Sequence, residues 1–201
     1  MSTDSEIIQR SLGAPRAFAE LFDRHAGVIA RYAARRLGAD AGEDILSETF
    51  LVAFARRTAF DTTWDTALPW LFGIASRLIR KHRSTEAKHL RSSIESAQRD
   101  EHISHDDLET TIARLDAEIS TRELAPRIAS LSAKDRETLL LYAWGDLTYE
   151  EVAAALGVPV GTVRSRINRV RTRLDPHRGA SRTRIVKQKE GEVDGRFRAR
   201  A

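Results

Sequence analysis

Cysteine is absent from all 201 residues. Disulfides and thiolate metal sites are therefore excluded, and the chain cannot sense redox state through thiols of its own. No window approaches the ~18 uninterrupted apolar residues of a bilayer-crossing helix, so none is expected. The opening residues, Met1-Ser2-Thr3-Asp4-Ser5-Glu6, are acidic and lack a basic stretch followed by an apolar one. No secretory leader is expected, and the expected location is the cytoplasm. Val, Ile and Thr never alternate with polar residues for long enough to make a strand. Catalytic signatures are missing too. Asp44, Glu48 and six scattered histidines offer acid–base groups, but no Gly-rich phosphate loop, nucleophile elbow or metal-ligand spacing accompanies them. The chain is expected not to be an enzyme and to need no cofactor or metal. No internal repeat is visible.

What is present is a foldable, heavily charged chain, 41% hydrophobic and 31% charged. Its length suits one larger domain or two small ones. The net charge is +4, but residues 164–201 carry +9 and residues 1–163 carry −5. One end suits a polyanion and the other does not. The basic end also reads as a solvated, disordered tail, although its first arginines sit inside a helical pattern.

That pattern predicts an all-α protein of two small helical domains joined by a flexible linker. Helices are expected over 5–12, 15–37, 41–57 and 67–83, with Gly38 ending the second and Pro69 tolerated in the first turn of the fourth. Together they form a bundle over 5–83. Residues 84–107 are rich in Ser, His, Glu, Asp and Arg and read as linker. Leu108, Ile112, Leu115 and Ile119 then make a helical stripe, so that a linker over 84–120 is partly helical at its end. A second domain is expected over 121–176, followed by a basic, disordered tail over 177–201.

Inside the second domain, Thr148-Tyr149-Glu150-Glu151 is a capping box. Gly157 ends the helix that it opens, and Pro159 can start the next. This is helix-turn-helix spacing. On a wheel of ~100° per residue, Val160, Val163, Ile167, Val170 and Leu174 fall in one arc. The opposite arc is centred on Gly161, Ser165, Asn168 and Thr172. Arg164 and Arg171 flank one side, and Arg166, Arg169 and Arg173 the other. Small polar residues between rows of arginine suit a major groove. Arg can fork onto guanine, Asn can pair with adenine, and outer arginines can hold phosphates.

The first domain offers two further surfaces. On the 41–57 helix, Asp44, Ser47, Glu48 and Leu51 share one side, while Ile45, Thr49, Val52 and Ala53 face the other. The segment reads equally as a dock for a basic helical partner and as an ordinary amphipathic helix. On the 67–83 helix, Leu71, Ile74, Ala75, Leu78 and His82 make a core stripe. Gly73, Ser76, Arg77, Arg80 and Arg83 are expected on the exposed face, with Trp70 at its edge. Arg56-Arg57 and Phe60-Asp61-Thr62-Thr63-Trp64 precede it as a loop with exposed aromatics. Aromatics beside arginines give unstacked single-stranded DNA faces for its bases and cations for its backbone. Core filling by Trp64 and Trp70 is the other reading.

Three segments, Phe18-Ala-Glu-Leu-Phe-Asp-Arg-His, Gly42-Glu-Asp-Ile-Leu-Ser-Glu-Thr-Phe and Leu68-Pro-Trp-Leu-Phe-Gly-Ile-Ala, resemble the first domain of extracytoplasmic-function sigma factors of the sigma-70 family. Leu131-Ser-Ala-Lys-Asp-Arg-Glu, Leu147-Thr-Tyr-Glu-Glu-Val-Ala and Pro159-Val-Gly-Thr-Val-Arg-Ser-Arg resemble the second. The matches cover most of 16–174 in the right order. The resemblance implies a transcription-initiation subunit. Its 44–50 helix would dock on the clamp helices of the largest subunit of core RNA polymerase through Asp44, Ile45, Ser47, Glu48 and Leu51. Trp64, Trp70, Arg77, Arg80 and Arg83 would open and read the minus-ten element of promoter DNA. Thr162, Arg164, Ser165, Arg166, Asn168, Arg169, Arg171 and Arg173 would meet the minus-thirty-five element. The linker would thread toward the active-site channel, making the second-largest subunit a partner as well, and an anti-sigma factor is implied. The chain departs from the family at Ser76-Arg77, where Arg-Asn is common, and the tail after Pro176 has no counterpart. A helix-turn-helix regulator that binds duplex DNA without polymerase is the alternative.

Overall fold

A computed structural model describes residues 2–97 and 125–175, and every described element is helical. In chain order these are α1 (Asp4–Gly13), a 3₁₀ turn (Pro15–Phe18), α2 (Ala19–Leu37), α3 (Ala39–Ala55), a second 3₁₀ turn (Arg57–Ala59) and α4 (Leu68–Ala97). Then follow α5 (Ala125–Ala129), α6 (Ala133–Trp144), α7 (Tyr149–Leu156) and α8 (Val160–Leu174). The stripe at Leu108, Ile112, Leu115 and Ile119 and the 177–201 tail lie outside the described residues.

The N-terminal lobe wraps α1, α2 and α3 around α4. Ile7, Ile8, Leu21, Ile29, Phe72, Leu71 and Ile79 are shut off from solvent and supply the shared core. The C-terminal lobe packs α6 and α7 against α8 through Leu141, Val152, Val163 and Val170. The expected apolar arc of α8 is the buried one, with Val163, Ile167 and Val170 inside. At the turn before it, Gly157 takes φ 63° and ψ 42°, a left-handed conformation that glycine adopts without steric cost.

Two expectations are corrected. The stretch 84–97, read as the start of a linker, continues α4 without a break. Its Ala, Glu, Lys, Arg and Leu are strong helix formers, and their polarity makes an exposed helix as readily as a coil. His82 Nδ1 lies 3.2 Å from Glu86 Oε2 one turn further on. The second correction concerns Gly73 and Ser76, expected on an exposed face. Both are buried, because the C-terminal lobe packs on that side of α4. A Cβ on Gly73 would stand 2.7 Å from the carbonyl oxygen of Ala155 in α7, so the lobes meet closely only because this residue has no side chain.

The seam between the lobes contains a buried ion pair. Arg36 of α2 reaches Glu137 of α6 through Nη2 to Oε2 at 2.9 Å and Nη1 to Oε1 at 3.3 Å. The Tyr32 hydroxyl lies 3.1 Å from Ser76 Oγ and donates to Glu137 Oε1 at 3.2 Å. Burial pushes the Glu137 carboxyl up, but the charge and hydrogen bonds of Arg36 outweigh it and the net shift is downward. Burial drives the Tyr32 phenol upward.

Candidate nucleic-acid interface

The outward side of α8 is an open groove of about 620 Å³, lined by Tyr149, Gly161, Arg164, Ser165, Asn168 and Arg171. Local rules build it. The Thr148 hydroxyl accepts the Glu151 amide at 3.2 Å, while Glu151 Oε2 accepts the Thr148 amide at 2.8 Å, which fixes the start of α7 and the place of Tyr149. Val163, Ile167 and Val170 lock the opposite side of α8 into the core. Arg164, Ser165, Asn168, Arg171 and Arg173 are therefore exposed, and Arg164 has no ion-pair partner among the described residues. Thr162 is half-buried.

Two arginines of the predicted set turn back instead of outward. Arg169 Nη2 meets Asp135 Oδ1 at 2.8 Å, and Arg166 Nη1 donates to Thr138 Oγ1 at 3.3 Å. Both partners lie on α6, so these two arginines fasten α8 to α6. The hydrogen bond from Arg169 holds the Asp135 carboxyl below its ordinary value. Tyr149 escaped the sequence reading. The signal was its place, directly after the capping threonine and facing the start of α8.

On α3, Asp44, Ser47 and Glu48 are exposed, and Leu51 is 69% exposed despite being apolar. Phe22 of α2 packs edge-to-face on Phe50 with 4.8 Å between ring centroids and stays 42% exposed, which extends the apolar surface. Ile45 is corrected: it is 2% exposed and belongs to the core, one position around the helix from the acidic side.

The third surface is the loop before α4 and the outer side of that helix. Arg77 and Arg80 are exposed, and Trp64 and Trp70 are half-buried. The Trp70 ring tilts against Phe60 at 5.2 Å, and both tryptophans pack on the core while keeping an edge outside. Phe60 is corrected from exposed to buried. Arg83 is corrected as well: its Nη2 donates to the Arg36 carbonyl at 2.7 Å, drawing it toward the lobe seam. The loop has an internal turn in which Asp61 Oδ1 accepts the Thr63 amide at 3.0 Å and the Thr63 hydroxyl at 2.8 Å. No described helix is long and apolar enough to cross a membrane.

The described residues present a basic helix face on α8, an acidic helix face with an exposed leucine on α3 and an aromatic–basic loop before α4. The profile of the family described as Sigma-70, region 4, matches residues 121–174. The ECF RNA polymerase sigma factor SigL of Mycobacterium tuberculosis (strain ATCC 25618 / H37Rv) is 30% identical over 150 residues, covering 74% of this chain and 81% of the relative. Among solved structures, CnrH in complex with the cytosolic domain of CnrY has a TM-score of 0.58 at 24% identity, covering 85% of this chain and 94% of that one. The sigma factor RpoE in complex with the anti-sigma factor NepR, from Bartonella quintana, has a TM-score of 0.52 at 22% identity, covering 78% and 93%. At these identities the two structures speak for the fold.

Proposed function

The chain belongs to the ECF RNA polymerase sigma-factor family, and from that premise we propose how its three surfaces divide the work. As a sigma factor it binds core RNA polymerase, recognises promoter DNA and helps melt it to start transcription. Such subunits are regulators of transcription; in this chain the work is binding throughout, in the cytoplasm, and the polymerase performs the chemistry. The other sequence reading, a regulator acting without polymerase, has no support among these relatives.

The groove on α8 takes the minus-thirty-five element as duplex. Arg164 and Asn168 have the donor geometry for guanine and adenine edges, and Arg171 and Arg173 meet phosphates farther along. Arg166 and Arg169 position the helix through Thr138 and Asp135. Asp44, Ser47, Glu48 and Leu51 dock on the clamp helices of the largest subunit. Trp64, Trp70, Arg77 and Arg80 hold melted minus-ten bases. An anti-sigma factor restrains the chain, as the pairing of RpoE with NepR suggests. The observation that carries this reading is the exposure of a basic groove on one lobe and an acidic, apolar helix face on the other.

The two elements lie ~25 base pairs apart by their names, on the order of 85 Å of duplex at ~3.4 Å per pair. A packed unit of this size has a radius of gyration of only about 15 Å. The lobes therefore separate on the promoter, and the Arg36–Glu137 seam opens.

Run-off transcription with core polymerase on genomic fragments tests the function. Wild-type chain should yield discrete transcripts. Reversing Asp44 and Glu48 to Lys should abolish them by setting like charges against a basic partner, a juxtaposition that costs several kcal/mol. Unchanged core affinity in a folded double variant would remove α3 as the docking helix.

A further inference from the structure

The first turn of α1 grips the loop that leads into α4. The Asp4 amide donates to the Asp65 carbonyl at 3.0 Å, and Asp4 Oδ2 accepts the Ala67 amide at 2.8 Å. The Ser5 hydroxyl donates to the Trp64 carbonyl and stands 3.3 Å from the Thr62 carbonyl. The grip is itself braced. His25 Nε2 lies 2.6 Å from Asp4 Oδ2, Arg24 Nη1 donates to Asp4 Oδ1 at 2.9 Å, and the same Nη1 donates to the Ser2 carbonyl at 2.8 Å. Asp4 is 4% exposed and Ser5 9%, unusual burial for an aspartate and a serine. Thr3 and Glu6 close a capping box around them.

Four of these seven bonds end on backbone between 62 and 67, the other three come from α2, and none ends on α3 or on the C-terminal lobe. Core packing does not require this arrangement. Ile7 and Ile8 already bury α1 completely on their own side. The polar side of the turn therefore acts on the loop, with α2 bracing it. A loop that orders only when it binds gives up affinity for every residue it must fix, and a loop already fixed keeps that affinity.

We infer that Asp4 and Ser5 are positioning residues for promoter melting: the first turn of α1 holds the 62–67 loop in the conformation in which Trp64 receives an unpaired base. This rests on the reading of the Trp64 surface as the minus-ten site. Arg24 and His25 extend the positioning set by orienting the Asp4 carboxylate, which serves two donors on one oxygen and a guanidinium on the other.

Ser5→Ala removes both hydroxyl contacts with little change in volume. Asp4→Asn keeps the shape but weakens the bond to the Ala67 amide. Each is assembled with core polymerase beside wild type and Trp64→Ala. The probe is a fluorescent single strand carrying the non-template minus-ten region of a promoter mapped by run-off transcription. Core affinity, thermal midpoint and amide exchange at 62–67 are followed in parallel. Ser5→Ala is expected to bind the strand about 5- to 10-fold more weakly, with core affinity unchanged and faster exchange confined to the loop. Ser5→Thr, which retains a hydroxyl, is expected to recover part of the loss. If Trp64→Ala weakens strand binding while Ser5→Ala and Asp4→Asn leave it at the wild-type level, the positioning role is overturned and the surface stands. If Trp64→Ala also binds normally, the surface reading itself falls and the positioning role with it. A loss shared equally by strand and core affinity marks general damage to the lobe and equally overturns the assignment.

Discussion

Both lobes open a helix with the same device, a threonine–glutamate capping box at Thr3/Glu6 and again at Thr148/Glu151. What each box supports differs. In the C-terminal lobe the capped helix is followed at once by the helix it braces, so the basic groove is drawn from one continuous stretch, 149–171. In the N-terminal lobe the capped helix turns back on a loop some 60 residues away, where |i−j| reaches 63 for the Asp4–Ala67 bond. A surface built from adjacent residues depends on local rules. One assembled from distant segments depends on every contact that brings them together. Remote substitutions should therefore disturb the N-terminal lobe's aromatic–basic loop and spare the basic groove of the C-terminal one.

The largest effect is expected at the seam between the lobes. Glu137→Ala leaves Arg36 without its buried partner, a change that costs about 3–5 kcal/mol while the charge stays buried. Arg36 escapes that cost if the lobes part and water reaches it. Small-angle scattering should then show a larger radius of gyration, with helical circular dichroism preserved. An unchanged radius in a folded variant would mean that the Gly73–Ala155 contact, and not the ion pair, holds the lobes together.

Acid should act next, and on the N-terminal lobe through Asp4. Burial raises this carboxyl, but the hydrogen bonds of His25, Ala67 and Arg24 outweigh it and bring its pKa to about 2. A carboxyl depressed in the folded state contributes stability that is fully present above the ordinary value near 4 and disappears as pH falls toward 2. The contribution is about 2 kcal/mol at ~1.4 kcal/mol per pH unit. Denaturant unfolding at pH 5 and pH 2 should show this loss in wild type and a smaller slope in Asp4→Asn. Equal slopes in the two proteins would place the acid-sensitive group elsewhere.

The two capping boxes give the smallest effect and the sharpest contrast. Thr148→Ala and Thr3→Ala should each cost ~1 kcal/mol of stability. The first should leave hydrogen exchange in the 62–67 loop as it is, and the second should quicken it. Loop exchange that responds to both alike would erase the distinction between a local and an assembled surface.

The same distinction explains what could be read from the sequence. The helix-turn-helix was legible down to its cap and its left-handed Gly157, because capping, turn chemistry and a 3.6-residue period act within a few residues. The wheel also picked the exposed face of α8 correctly, yet it could not show that Arg166 and Arg169 turn back to Thr138 and Asp135, since the partners come from another helix. The same limit applied to Gly73, Ser76 and Arg83. Gly73 and Ser76 looked exposed until a second lobe was placed over that side of α4, and Arg83 until the Arg36 carbonyl of α2 was placed beside it. Ile45 was named through the family's helix although its own position on the wheel already pointed inward. Residues 84–97 differ from the expected coil for another reason: composition separates buried from solvated segments better than it separates an exposed helix from a coil.

The division of labour between the lobes is tested most directly by holoenzyme on duplex and pre-melted forms of one promoter, across a salt series, with thermal midpoints as controls. Arg164→Ala should cost about 1–3 kcal/mol on the cognate duplex and much less on a scrambled one, and opening the minus-ten region beforehand should not restore it. Trp64→Ala with Arg80→Ala should bind the closed duplex nearly as wild type and fail to form open complex, a stacking loss of ~1–3 kcal/mol that the pre-melted template recovers. If Arg164→Ala weakens cognate and scrambled duplex equally, or if pre-melting rescues Arg164→Ala and not the Trp64/Arg80 pair, the duplex-reading and strand-holding surfaces have been assigned to the wrong lobes.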